Sequence, residues 1–348
     1  SIDTSSSRSY GRKKMISFFK KDTFFRDACL ALLSWIFLVI IFFVIPDPGI
    51  HDIIQKVFIL GLFALSLNIL IGYLGLIAFG HAAFFAAGAY TLGLFLQSDF
   101  IKIYNFGAFS IPVAIILSIC VSAILAAFIG AICIRLKDIY FSFLTLAFQM
   151  VLYSIILALV DITGGDQGLM GGFPKPPFLG IDLSKPFDFY AFTIFISIFV
   201  ILLLRQIIES PFGYGLRMIR DNAERPAALG FNNQNHKLIA FIIAGSIAGL
   251  AGSLQALLDV GAYPEWAFWA KSAEPLFMIL LGGMNTFLGP LMGALIFEIL
   301  NDFVTANTKY YGLVLGLVIL SFVLGLKQGL LDWIIMKFKE SKNNNAQN

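Results

Sequence analysis

The most distinctive charged segment of the chain lies between two long apolar stretches. It runs from Ser210 to Phe231 and has the sequence SPFGYGLRMIRDNAERPAALGF. Pro211, Gly213 and Gly215 predict a turn after the preceding apolar stretch. Pro226 limits any single helix because its ring clashes with the preceding turn. We therefore expect two short helices that meet at this proline.

This segment combines an apolar edge with side chains of both charge signs, a pattern that suits docking into a cleft on a soluble partner. Its glycine after the second expected helix is a candidate C-terminal cap. The candidate docking residues are Arg217, Arg220, Asp221, Glu224, Ala227, Ala228 and Gly230. The alternative interpretation is a solvated loop whose arginines only set the membrane topology.

No other group of residues has the types and spacing of a catalytic or metal site. Cys29, Cys120 and Cys133 all lie in apolar stretches without metal-ligand spacing, so we interpret them as small packing residues. No GxxxxGK[ST] motif occurs in the chain, and a phosphate cradle of the P-loop kind is therefore not expected. The sequence predicts no catalytic residue, no metal ligand and no cofactor bound by this chain.

The composition is that of a protein embedded in lipid. Of 348 residues, 59% are hydrophobic and 13% are charged, against roughly 25% charged in a soluble domain. Several apolar stretches reach the roughly 20 residues that a helix needs to cross a bilayer. We therefore predict an all-α integral membrane protein, a polytopic helix bundle of about eight to ten membrane segments. A net charge of +3 is too small to indicate nucleic acid as a partner.

Charge distribution predicts the domain organisation. Residues 1–27 form a basic segment that is expected to be cytosolic and in part disordered. Residues 28–326 form the membrane domain, which contains a cytosolic loop at 210–236. Residues 327–348 form a polar tail whose lysines place it in the cytosol.

A tail in the cytosol requires that one apolar stretch in the last third of the membrane domain does not cross the bilayer as a single helix. The stretch Pro275 to Leu300 contains GGMNTFLGP at its centre. We predict two half-helices in a re-entrant hairpin, since glycine and proline break helices and broken backbone is tolerated beside protein or a cavity. The candidate hinge residues are Gly282, Gly283, Gly289 and Pro290. The alternative is a single kinked span with the tail outside.

Polar residues inside the apolar stretches are the candidates for a translocation path, because burying them without partners is unfavourable. They are Asn68, His81, Thr91, Thr145 and Gln149, to which Glu298 near a helix end is added. The alternative role for Asn68 and His81 is packing or hydrogen bonding between helices. Small residues, among them Gly88 and Gly249, predict that the helices pack closely against each other.

Four segments, together with the charged loop, resemble a known family. They are LSLNILIGYLGLIAFGHAAFFAAGAYT, RLKDIYFSFLTLAF, TGGDQGLMGG and SAEPLFMILLGGMNTFLGPLMGAL, in this order between about residues 50 and 330. The chain resembles the LivM-type permeases of branched-chain amino acid ABC importers. Its loop is similar to their ATPase-docking loop in Glu224, Ala227, Ala228 and Gly230, although Arg225 and Pro226 interrupt the usual acidic-Ala-Ala pattern.

The resemblance implies a transport subunit rather than an enzyme. Expected partners are two ABC ATPase subunits that use ATP and Mg, a homologous LivH-like permease, an extracytoplasmic substrate-binding protein and membrane lipid. The implied location is the bacterial inner membrane, with many crossings and a cytosolic N-terminus. TGGDQGLMGG is interpreted as a turn-forming outer segment, and contact with the binding protein is its expected role.

The substrate that the resemblance implies is leucine, isoleucine or valine. Similar permeases serve other amino acids, urea, aromatic acids or, more distantly, sugars, and these alternatives stay open. A different class, a secondary transporter that works without ATP, predicts intramembrane carboxylates for ion coupling. Such carboxylates are nearly absent from the apolar stretches, which disfavours that class.

Overall fold

A computed structural model describes residues 26–45, 47–98, 109–136, 138–177, 182–222, 224, 230, 232–310, 312–314, 316–317, 320–321 and 329–332. Within these ranges the regular elements are helices, apart from one isolated antiparallel bridge between Leu169 and Ala262. The predicted all-α class is therefore confirmed. Most of the two predicted terminal segments, 1–27 and 327–348, lies outside the described residues, and their boundaries stay predictions.

Ten principal helices are described along the chain. In chain order they are α1 (Arg26–Val44), α2 (Pro48–Asn68), α3 (Ala82–Gln97), α4 (Ser110–Cys133), α5 (Asp138–Ala158), α6 (Pro186–Ile208), α7 (Pro211–Asp221), α8 (Asn233–Asp259), α9 (Trp269–Gly282) and α10 (Gly289–Asn307). Seven described helices are long and apolar enough to cross a membrane, and α3 is a shorter apolar helix. This confirms a polytopic bundle.

Helix α2 forms the centre of the bundle, whereas α1 lies at its edge. The segment Pro48–Leu74 consists of α2 and its π-helical end, and 89% of the residues in its most apolar 18-residue window are buried. The corresponding fraction for α1 is 6%. α2 packs against α6, α8, α9 and α10. α1 is held to α6 by two hydrogen bonds, Trp35 Nε1 to the Ala191 carbonyl at 3.2 Å and Tyr190 Oη to the Leu38 carbonyl at 3.1 Å, and by an ion pair between Asp27 and Arg205 at 3.1 Å. The exposed apolar side chains of α1 suit contact with lipid.

Small residues allow α3, α4 and α8 to approach closely. A Cβ atom added at Gly88 would lie 2.0 Å from the Gly249 carbonyl oxygen, and one at Gly252 would lie 1.9 Å from the Phe85 carbonyl oxygen. Ser122 Oγ of α4 donates to the Phe84 carbonyl at 3.2 Å. The predicted role of the small residues in close helix packing agrees with these contacts.

The connection from α2 to α3 departs from a simple membrane helix. Residues Ile69–Leu74 form a π-helix that ends at Gly75, whose φ of 78° is left-handed. An irregular stretch follows before α3 begins at Ala82. The apolar stretch from Leu74 to Leu96, which the sequence suggests as one membrane segment, is therefore helical throughout only from Ala82 onward. Glycines at 75 and 80 permit the break, since a Cβ at Gly80 would lie 2.0 Å from the Thr145 carbonyl oxygen.

Helices α9 and α10 form the hairpin that the sequence predicts, but its arms are unequal. α9 has 14 residues, whereas α10 has 19 and is among the helices long enough to cross a membrane. The arms touch through glycine, because a Cβ at Gly293 would lie 1.7 Å from the Met278 carbonyl oxygen. The description of both arms as half-helices is therefore corrected for α10.

Replacing Gly88 tests the close packing of α3 on α8. We expect Gly88→Ala to lower the free energy of unfolding by about 1–3 kcal/mol, because the added methyl group meets backbone that must shift. Titration of the purified protein with a denaturing detergent measures this. Gly316→Ala is the control, since no atom lies within 4 Å of its added Cβ. Equal stability of both variants would contradict the packing described here.

Candidate functional site

The charged loop begins with a helix rather than with the predicted turn. α7 starts at Pro211 and contains both Gly213 and Gly215. Proline suits the first helical turn because the N–H it lacks would have no partner there. Gly213 permits α7 to start directly after α6, since a Cβ at this position would lie 2.1 Å from the Ile208 carbonyl oxygen. The predicted turn at these residues is therefore wrong.

Helix α7 has one face against the bundle and one face free. Leu216 and Ile219 are buried, at 0% and 4% exposure. On the opposite side, Tyr214 is 56% and Met218 38% exposed, and the Asp221 side chain is 67% exposed. These three residues are spaced by one helical turn each, so they lie on the same face. α7 therefore presents an exposed face of mixed chemistry.

Arg220 ties α7 to the π-helical end of α2. Its Nη1 donates a hydrogen bond to the Gly72 carbonyl oxygen, and its Nε contacts Asp221 Oδ1 at 3.2 Å. Gly75 is required beside it, because a Cβ there would lie 2.9 Å from Arg220 Cγ. Arg217 adds a second attachment, with its guanidinium 5.1 Å from the centre of the Tyr73 ring. Two predicted docking residues thus hold α7 against the bundle.

The rest of the predicted docking pattern is only partly within the described residues. Glu224 donates its N–H to Asn222 Oδ1 at 2.9 Å, just after α7 ends. Gly230 has a φ of 83°, a left-handed conformation that glycine favours. Ala227 and Ala228 lie outside the described residues, as does the junction of two helices expected at Pro226. The docking role of these four residues stays a prediction.

The hairpin turn at 283–288 lies beside the π-helical end of α2, to which Arg220 of α7 is hydrogen-bonded. Asn68 Nδ2 donates to the Met284 carbonyl at 3.4 Å, and a Cβ at Gly72 would lie 2.8 Å from the same oxygen. We call this end of the bundle, defined by α7, residues 68–75 and the turn at 283–288, the loop end. The hydrogen-bond and packing contacts make these three segments one connected unit.

The predicted hinge residues bound the hairpin turn. α9 ends at Gly282, Gly283 has a φ of 114°, α10 begins at Gly289, and Pro290 occupies its first turn. A Cβ at Gly282 would lie 1.8 Å from the Gly289 carbonyl oxygen. Their role as a hinge stays a prediction.

Asp332, which lies in a helical stretch beyond α10, closes the hairpin turn. Its carboxylate accepts from the Asn285 backbone N–H at 3.2 Å, from Asn285 Nδ2 at 3.1 Å and from Thr286 Oγ1. Sequence reasoning missed Asp332, because it lies in the segment assigned to a polar tail. The sequence signal for such a partner is the pair Asn285 and Thr286. Their side chains can donate hydrogen bonds in a turn that has no carboxylate nearby in sequence.

The polar residues predicted to line a path instead join elements within the bundle. His81 Nε2 contacts Ser66 Oγ at 2.7 Å, and its ring is stacked on Phe63. Gln149 Nε2 donates to the carbonyls of Ala267 and Phe268 at 3.1 and 2.9 Å, and its Oε1 accepts from Ser272 Oγ at 2.7 Å. These contacts support the alternative of hydrogen bonding between elements for His81, and they show such bonding for Gln149 as well.

Two other predicted path residues bond within their own helices. Thr91 Oγ1 donates to the Ala87 carbonyl at 2.6 Å, and Thr145 Oγ1 donates to the Ser142 carbonyl at 2.8 Å. Neither of the two cavities described next is lined by any of the five predicted path residues. Their path-lining role stays a prediction.

Both cavities open at the end of the bundle opposite the loop end. The larger has a volume of about 550 Å³ and lies between the end of α1 and the starts of α2 and α6. Lys175 lines it, with its Nζ 4.4 Å from the centre of the Phe189 ring. Burial disfavours the charged ammonium and lowers the pKa of Lys175.

The smaller cavity has a volume of about 350 Å³ and lies between α2, α8, α9 and α10. Sequence reasoning noticed Glu298 among its residues but missed the rest. Their shared signal is a charged or amide side chain a few residues inside the end of an apolar helix. These residues are Lys56, Gln255, Asp259, Lys271, Glu274 and Glu298.

The predicted outer segment at 163–172 folds as a series of tight turns. Gly164, Gly165, Gly168, Gly171 and Gly172 all have left-handed φ values between 59° and 104°, which agrees with the turn-forming interpretation. Gln97 Nε2 of α3 donates to the Met170 carbonyl at 3.1 Å. The segment lies at the same end of the bundle as the two cavities.

The described helices, which can cross a membrane many times, define a multi-pass membrane protein with a short helix, α7, attached between two of them. The sequence model of the family described as "Branched-chain amino acid transport system / permease component" matches residues 49–323. The chain belongs to this family. Membership confirms the prediction of a transport subunit rather than an enzyme.

Individual relatives agree with the family assignment. The High-affinity branched-chain amino acid transport system permease protein LivM of Escherichia coli is 26% identical over 336 residues, which cover 89% of this chain and 75% of the relative. The Probable branched-chain amino acid transport permease protein LivM of Methanocaldococcus jannaschii is 28% identical, over 80% of this chain and 88% of the relative. The LivH permease of the same archaeon is 25% identical over 68% of this chain and 78% of its own length. No solved structure matches the chain.

Proposed function

We propose that this chain is the permease subunit of an ATP-driven, binding-protein-dependent importer for branched-chain amino acids. Family membership and the names of its LivM relatives support this substrate class. The observation that carries the mechanism is the attachment of α7 to the end of α2 through Arg220 and Gly72. A docking helix that is fastened to the central helix of the bundle can move that helix when its partner moves.

The partner at the exposed face of α7 is the ATPase subunit. Tyr214, Met218 and Asp221 offer one aromatic, one flexible apolar and one charged side chain in a row. Such a short helix fits a groove on a soluble protein. Two ATPase subunits use ATP and Mg, and Glu224, Ala227, Ala228 and Gly230 extend the docking surface.

A second permease subunit completes the membrane part. The similarity of this chain to a LivH protein as well as to LivM proteins supports a homologous LivH-like partner. Two related subunits pair through equivalent surfaces around a pseudo-two-fold axis. A substrate-binding protein meets the opposite end of the bundle, where the turns at 163–172 lie.

Motion at α7 reaches the hairpin through a continuous set of contacts. Arg220 binds the Gly72 carbonyl, and Gly72 packs against the Met284 carbonyl, to which Asn68 also donates. Met284 lies in the turn between α9 and α10. A shift of α7 therefore displaces the hairpin relative to α2, and the two arrangements of the hairpin are the two states of the transport cycle.

The orientation that fits this mechanism places the loop end in the cytosol. The N-terminus then lies in the cytosol, where its basic residues agree with the positive-inside rule. The bundle is embedded in the bacterial inner membrane in contact with lipid.

Reporter fusions test the orientation. We expect a fluorescent reporter that matures only in the cytosol to be active when it is fused at residue 1 or after residue 348. A reporter active only outside the cytosol is the matched control, and it should be inactive at both positions. Inverted activities at both positions would contradict the orientation, and an inverted result at the C-terminus alone would contradict the even total number of crossings that two cytosolic ends require.

Substitution of Arg220 tests the coupling role of α7. In proteoliposomes that contain the complete importer, we expect Arg220→Gln to lower ATP-driven leucine uptake at least tenfold while the ATPase subunits remain bound. The physical reason is that the Gly72 carbonyl loses its charged donor, so the motion of α7 no longer reaches α2. Uptake of radiolabelled leucine and ATP hydrolysis are measured on the same vesicles.

Arg135→Gln is the matched control for this experiment. Arg135 is an exposed arginine in the turn after α4, and we expect its replacement to change uptake less than twofold. Unchanged uptake in Arg220→Gln would contradict the coupling role. Release of the ATPase subunits by Arg220→Gln would instead assign Arg220 to assembly.

A further inference from the structure

The smaller cavity has the size and chemistry of a binding site. Its volume of about 350 Å³ falls within the roughly 300–1,000 Å³ of small-molecule sites. Two lysines, three carboxylates and two amides line it beside apolar side chains. The apolar members are Leu60, Trp266, Phe277 and Phe297. Charged groups of both signs are thus placed next to an apolar wall.

The charged groups are buried enough to need partners. Glu298 is 5% exposed, and the side chain of Lys271 is 15% exposed. Lys271 Nζ binds Glu274 Oε2 at 2.6 Å. Lys56 Nζ lies 3.9 Å from Glu298 Oε1, which is longer than the roughly 2.7–2.9 Å of a charge-assisted hydrogen bond. Lys56 and Glu298 are therefore close enough to attract each other but are not hydrogen-bonded.

Gln255 leaves a buried acceptor at the same cavity. Its Nε2 donates to Asp259 Oδ2 at 2.7 Å, but its Oε1 has no hydrogen-bond partner among the residues that the structure describes. The residue is only 7% exposed. A buried polar atom without a partner is destabilising, and such an atom in a native structure indicates a missing donor. The donor that fits beside two carboxylates is a cation, such as an ammonium group.

We propose that this cavity binds the zwitterionic backbone of an α-amino acid that has an apolar side chain. The ammonium group lies between Glu298 and the Oε1 of Gln255, and the carboxylate lies between the ammonium groups of Lys56 and Lys271. The apolar side chain of the ligand contacts Phe277 and Phe297. This site rests on the proposed function, because it supplies the amino acid import step with a binding position on the permease itself.

The position of the cavity links binding to the hairpin. Lys271 and Glu274 belong to α9, and Phe297 and Glu298 belong to α10, so both arms contribute. Lys56 belongs to α2, whose other end contacts the hairpin turn through Asn68. A displacement of the hairpin against α2 therefore changes the separation of Lys56 from Glu298. The ligand is held in one arrangement and released in the other.

Direct binding to the permease tests the proposal. The complete importer is placed in lipid nanodiscs without the substrate-binding protein, and binding of tritiated leucine is measured by scintillation proximity. We expect Glu298→Gln to weaken leucine binding at least tenfold. Asp302→Asn is the matched control, because it also neutralises a carboxylate of α10 but lies exposed outside the cavity lining. We expect it to change binding less than twofold.

Competitors of the same shape test which parts of the ligand are recognised. Isoamylamine lacks the carboxylate and 4-methylpentanoate lacks the ammonium group, and we expect both to compete at least tenfold less well than valine. Gln255→Met, which conserves volume, provides a second variant should Glu298→Gln fail to fold, and we expect it to weaken binding at least threefold. Competition by either analogue equal to that of valine would overturn the proposal.

The outcomes separate this proposal from the proposed function. If wild-type importer binds no leucine in this assay, or if Glu298→Gln and Gln255→Met bind it as wild type does, the site is wrong. ATP-driven uptake by the same wild-type importer with its binding protein would leave the proposed function standing in that case. Binding that follows the expected pattern without any ATP-driven uptake would support the site and contradict the proposed function.

Discussion

The whole arrangement depends on the rule that a backbone polar group in lipid must have a partner inside the protein. The helices break where α2 meets α3 and where α9 meets α10, and side chains from distant segments bind the freed groups. Arg220 binds the Gly72 carbonyl, Ser142 Oγ donates to the Ile77 carbonyl at 2.5 Å, and Ser272 Oγ accepts from the Ala82 N–H at 2.9 Å. These bonds both stabilise the breaks and fasten the segments to each other.

This rule connects stability with transport. An unbroken helix pairs its own backbone N–H and C=O groups, so its backbone needs nothing from neighbouring elements. A broken helix depends on its neighbours to bind the backbone groups that the break leaves free. The π-helix at Ile69–Leu74 is such a place, and π-helical turns are common at functional sites. In this protein the dependence runs from α7 to α2 and then to the hairpin, which are the elements that a transport cycle would have to move together.

The sequence was sufficient for the properties that follow from composition and pattern. Apolar length predicted the bundle, and the glycines at 282 and 289 predicted the hairpin. It failed where partners are distant in sequence. At Pro211 the two following glycines suggested a turn, and the contact of Gly213 with Ile208 that lets α7 begin there appears only in the folded chain. Likewise, the sequence could not show that His81 and Gln149 bind Ser66 and Ser272, because these partners lie far away along the chain.

The most direct measurement is the distance between spin labels on the hairpin and on a fixed part of the bundle. Labels replace Trp269 at the start of α9 and Ile124 on α4, both exposed, in the complete importer without its native cysteines. When ATP hydrolysis is trapped at its transition state, the distance distribution should shift in the importer that carries only the labels. The added substitution Asn68→Leu should abolish most of this shift. An equal shift in Asn68→Leu, or no shift with nucleotide at all, would contradict transmission through the loop end.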